Sequence, residues 1–99
     1  MELNEKIVET YLLNKGIQPQ NLGFEYLKEA ILVVVKNPEY KYNVCTKLYP
    51  TIAGLKHTTP SRVERAMRHA LFRAKINITN SHFIALAHID LKNKDWKME

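Results

Sequence analysis

Arginines recur at positions 62, 65, 68 and 73 of the stretch "TTPSRVERAMRHALFRAK" (58–75), with Glu64 as the single acidic residue among them. A guanidinium can grip a phosphate, or O6 and N7 of guanine, with two parallel hydrogen bonds. From Lys56 to Lys75, six Lys/Arg less one Glu give +5. The whole chain is also +5, from 15 basic and 10 acidic residues, so the remaining nine basic and nine acidic groups cancel. The formal excess lies in about a fifth of the chain, which points to a polyanion partner.

At about 100° per residue, Val63, Ala66, Met67, Ala70, Leu71 and Ala74 share one face of a helix. Ser61, Arg65, Arg68, His69 and Phe72 lie opposite, flanked by Arg62, Glu64 and Arg73. The inward alanines are small enough for close packing on a neighbour. Thr58, Thr59 and Ser61 can donate to phosphate, and the helix N-terminus adds free N–H groups. A carboxylate near DNA is unfavourable unless it accepts from cytosine N4, which would give Glu64 a reading role. The plainer alternative pairs it with Arg68 at i+4 on a solvated face. The candidate DNA-binding set is therefore Lys56, Thr58, Thr59, Ser61, Arg62, Glu64, Arg65, Arg68, His69 and Arg73.

Other chemistry finds little support. His57, His69, His82 and His88 lack paired spacing, and Cys45 alone completes no zinc set. No Gly-rich phosphate loop, nucleophile elbow or carboxylate pair stands in a recognisable frame. The expectation is no enzyme, no metal and no cofactor. Cys45 reads as a small core residue. Tyr40, Tyr42 and Tyr49 read as polar-tipped edges of a core. Phe72, apolar amid arginines, is expected under the following turn or against a second copy.

These side chains need a scaffold. Apolar spacing predicts a helix over about 3–15, with Gly16 at its C′ position and Ile17 supplying the accompanying contact. Asn21 is an N-cap candidate for a second helix over 22–36, striped by Leu27, Ala30, Ile31, Val34 and Val35. "NPEY" ends it. In 42–56, Pro50 predicts a break or a short helix restarting there, with Ile52, Ala53 and Leu55 inward. Thr59 caps and Pro60 starts a fourth helix over 60–75, and a fifth covers 81–91 after Thr79 or Asn80. Residues 92–99 form a charged tail. The fold class is all-α: a single domain over 1–99 of five to six helices, with a helix-turn-helix over about 44–75. The longest apolar run, "AILVVV", is too short to span a membrane, and the acidic N-terminus is unlike a signal peptide. With one cysteine, a reducing, cytoplasmic setting is expected.

The stretch "KLYPTIAGLKHTTPSRVERAMRHA" resembles the C-terminal effector domain of the stage zero sporulation protein A family, response regulators of endospore-forming bacteria. "GFEYLKEAI" upstream and "TNSHFIAL" downstream extend the likeness over about 17–91. The resemblance implies a helical, winged-helix-like effector domain that binds a short box of double-stranded DNA, often as head-to-tail tandem copies. It also implies that Ser61, Arg62, Glu64, Arg65, Arg68 and His69 contact DNA, with Thr58 and Thr59 in the turn. The family's receiver domain is not expected in a chain with about twenty residues before the match. "LFRAKINI" is shorter than the family's segment that contacts the RNA polymerase sigma factor, so that contact is not expected. Pairing, as a homodimer or a tandem on DNA, and the sign of regulation stay open. A rival reading keeps the basic face but docks it on an acidic protein partner or a related regulator, without DNA.

Overall fold

A computed structural model describes residues 4–93. Five α-helices form: α1 (Glu5–Asn14), α2 (Leu22–Lys36), α3 (Tyr49–Leu55), α4 (Pro60–Arg73) and α5 (Asn80–Lys92). No strand occurs among the described residues. The expected charged tail lies outside them from residue 94 onward, as does the predicted start of the first helix at Leu3.

Each boundary has a local cause. The Asn4 side chain accepts the Ile7 N–H at 3.0 Å and starts α1. Gly16, at φ 86°, ends it with a Schellman pair, in which the Gly16 N–H reaches the Leu13 carbonyl and the Ile17 N–H that of Leu12. Ile17 is buried beside it, as the spacing predicts. Pro38 follows the end of α2 and opens a 3₁₀ turn, Pro38–Tyr42. A π-turn, Val44–Leu48, then feeds α3, and the Leu48 N–H bonds the Asn43 carbonyl at 3.0 Å. Pro50 cannot donate to the previous turn, so the ladder changes from π to α spacing there.

α2 packs on each of the other four helices. Leu27, Ala30, Ile31 and Val34 meet Val8 and Leu12 of α1, Ile52 of α3, Val63 and Met67 of α4, and Ile84 and Ala87 of α5 in one buried cluster. Three expectations for the third segment are corrected: Tyr42, expected at the edge of the core, is 79% exposed. Leu55 is 56% exposed, and Cys45 is also exposed. The π-turn has one inward side, taken by Val44 and Leu48, and α3 buries Tyr49, Ile52 and Ala53 instead.

An unforeseen polar feature lies between α1 and α2. Lys28 is buried, and its ammonium donates to Glu5, Glu9 and Glu25 at 3.3, 3.0 and 3.2 Å. Burial alone would lower its pKa, but the three carboxylates outweigh that and raise it.

Candidate nucleic-acid interface

The turn joining α3 to α4 is residues 56–59. His57 sits at φ 56°, the left-handed conformation usually taken by glycine at a helix C′ position. The Thr58 N–H then returns to the Ala53 carbonyl at 2.9 Å. Thr59 is extended and its hydroxyl oxygen accepts the Arg62 N–H at 3.3 Å, with Pro60 in the first turn of α4. So tight a turn leaves α4 little freedom against α3.

Two further contacts fix its position. A Cβ at Gly23 of α2 would collide with the Ala66 carbonyl oxygen and lie 2.7 Å from the Ala70 Cβ. The expected close packing of small residues thus occurs between Gly23 and two of the three alanines. At the other flank, the buried Asn80 amide donates to the Tyr49 hydroxyl and to the Glu64 carbonyl, both at 3.1 Å. Burial pushes the Tyr49 phenol up, so it stays neutral while accepting that bond. Thr79 is the cap of α5, which frees Asn80 for this bridge.

With Val63, Met67, Ala70 and Leu71 buried, α4 exposes Ser61, Arg62, Arg65, Arg68, His69, Phe72 and Arg73. Among the described residues, Arg62, Arg65 and Arg73 form no ion pair. Arg68 is different: its Nε and Nη2 donate to both Glu64 oxygens at 2.9 and 3.3 Å. This is the i+4 pairing weighed above, and it leaves the Glu64 carboxylate engaged within the helix. Lys56 is also engaged, 3.7 Å from Glu25 and 3.5 Å from Glu29 of α2. Thr58 is half-buried and Thr59 exposed. Phe72 is 75% exposed and does not pack under the following turn. The chain closes α4 with Lys75 at φ 62° and an Ile76 N–H to Leu71 carbonyl bond, sending half-buried Ile76 back to the core.

Beside this face, Asn21, Leu22 and Gly23 of the α2 start and Arg62, Arg65, Ala66 and His69 of α4 line a groove of about 340 Å³. Leu22 is exposed there. Asn21 occupies the N-cap position but makes no side-chain cap bond, and its Nδ2 is buried without a hydrogen-bond partner. Gly23 lies in the first turn of α2, and nothing in the sequence near it signals this groove. Among the described residues, no group of three or more His, Cys, Asp or Glu could hold a metal ion. No helix described is long and apolar enough to cross a membrane. Against known families, residues 8–87 match the model described as "Sporulation initiation factor Spo0A C terminal".

Proposed function

The chain belongs to the Spo0A C-terminal family, and from that premise we propose that it is a sequence-specific regulator of transcription that reads double-stranded DNA with α4. The observation carrying this reading is the face of α4 itself. Arg62, Arg65 and Arg73 stand exposed with no ion pair among the described residues, on a helix whose opposite side is fixed in the core. In a helix-turn-helix the second helix lies in the major groove, with its N-terminal residues on base edges. Arg62 and Arg65 then face bases, while Arg73, Thr58, Thr59 and Ser61 serve phosphates. Glu64 acts through Arg68, holding its guanidinium in one orientation, and His69 borders the groove beside Arg65. Lys56 contributes a phosphate contact only by leaving Glu25 and Glu29.

The test is a mobility-shift assay over a randomised duplex library at low salt. A retarded, sequence-enriched band is expected, with a salt slope matching about four to six neutralised phosphates. Absence of any retarded band at low salt rules the reading out. One helix reads only a few base pairs, so useful specificity needs paired sites, occupied by a dimer or by head-to-tail copies. A second reading has its own observation: the groove joins exposed Leu22 to Arg62 and Arg65, a combination that also suits an acidic protein segment with an apolar anchor.

A further inference from the structure

Phe72 is the exposed residue of α4 that phosphate chemistry does not account for. Its ring is 75% exposed, and the chain turns back to the core at Ile76 without covering it. Arg65, Arg68, His69 and Phe72 stand at i, i+3, i+4 and i+7 along the outer side of the helix. Homeodomains read the major groove from four positions of one helix at that same spacing. At about 1.5 Å per residue, Phe72 lies about 10 Å beyond Arg65 along the axis, or about three base-pair steps. The apolar feature of the major groove is the 5-methyl group of thymine.

We infer that Phe72 is a specificity-determining residue, its ring packing on the 5-methyl of a thymine about three base pairs from the base read by Arg65. This rests on the DNA reading of α4 and extends the reading ridge one turn past His69. An aromatic ring supplies no charge, so it adds preference without adding to the salt slope.

The experiment takes duplexes enriched by the wild-type chain from a randomised library and replaces each thymine singly with deoxyuridine, which removes only the methyl. At one thymine, wild-type affinity should fall about fourfold, the worth of one buried methyl. Phe72→Ala should bind the thymine duplex more weakly and show no thymine-to-uracil difference at that position. Phe72 is exposed, so the variant should keep its helical circular dichroism and thermal midpoint. If wild type ignores uracil at every position, or Phe72→Ala keeps the fourfold difference, the inference is wrong. It is also wrong if Phe72→Ala loses only cooperativity between adjacent sites, which would give the ring to a second copy. A library with no enrichment defeats the DNA reading first, so the two failures are distinguishable.

Discussion

At the level of single residues, the arginines of α4 divide by what already holds them. Arg65 stands in the middle of the exposed face with no ion pair among the described residues, while Arg73 stands at the C-terminal end. Replacing Arg65 with alanine should relax base preference and cost about 1–3 kcal/mol of discrimination, the worth of a bidentate base contact. Arg73→Ala should instead weaken all duplexes alike and reduce the salt slope by about one. Titrating both variants against a panel of single-base duplexes separates the two roles, and equal loss across the panel for Arg65→Ala would reject its reading role. Glu64 poses the opposite case. Its two oxygens are taken by Arg68, so its removal deletes a negative charge and frees a guanidinium together. Glu64→Ala should therefore strengthen binding to random duplexes while leaving the preference set by Arg65 intact. A changed preference at a single cytosine would show instead that the carboxylate reads a base.

Between elements, the decisive contact is the crossing of α2 and α4 at Gly23. A methyl placed there meets the backbone oxygen of Ala66, which cannot swing aside as a side chain can. Gly23→Ala should destabilise the fold by about 1–3 kcal/mol through overpacking, despite alanine's better helix propensity. Urea unfolding measures this, and a stabilised variant would mean that the helices separate freely. Much of this architecture was legible locally. The stripe of α2, the Gly16–Ile17 closure and the Thr59–Pro60 start each follow from spacing and from backbone groups that must be satisfied near their own residue. What escaped depends on partners far along the chain. Nothing near Gly23 says that Ala66 will face it, and nothing near Asn80 says that it will join Tyr49 to Glu64. Cys45 and Leu55 face outward against their apolar character because a π-turn and a seven-residue helix are too short for apolar periodicity to select a face. The basic face of the candidate site was legible as charge on a wheel. Which of its charges are already paired was less so: the Glu64–Arg68 spacing is local, whereas Lys56 meets α2.

Across the whole molecule, buried and paired charges link separate helices. Glu5, Glu9, Glu25 and Glu29 surround Lys28 and Lys56, so these two cations are matched locally, while Arg62, Arg65 and Arg73 of α4 form no ion pair among the described residues. Lys28→Met should lower global stability by about 3 kcal/mol, the low end for breaking a buried pair, because the three carboxylates it leaves reach solvent. Thermal unfolding reports this directly, and an unchanged midpoint would mean that the carboxylates need no cation to pack. A second buried group ties stability to pH. His88 on α5 is 4% exposed, and the Lys41 ammonium lies 3.4 Å from its Nδ1. An ammonium can only donate, so the ring accepts there and is neutral, with its proton on Nε2. Burial, then Lys41, then Lys92, hold its pKa below the ordinary histidine value. An unfolded histidine takes up a proton near pH 6.5, whereas the folded ring resists until lower pH. Between those two points the unfolded state binds more protons, so the contribution is fully present above about pH 6.5 and is lost as pH falls through the folded pKa. Wild type should therefore lose thermal stability as pH falls below about 6.5, the ordinary histidine value. His88→Leu keeps an apolar side chain in the same pocket and removes the titration, so its loss over that window should be smaller. Parallel curves for the two proteins would assign the acid sensitivity to other groups and leave His88 as packing alone.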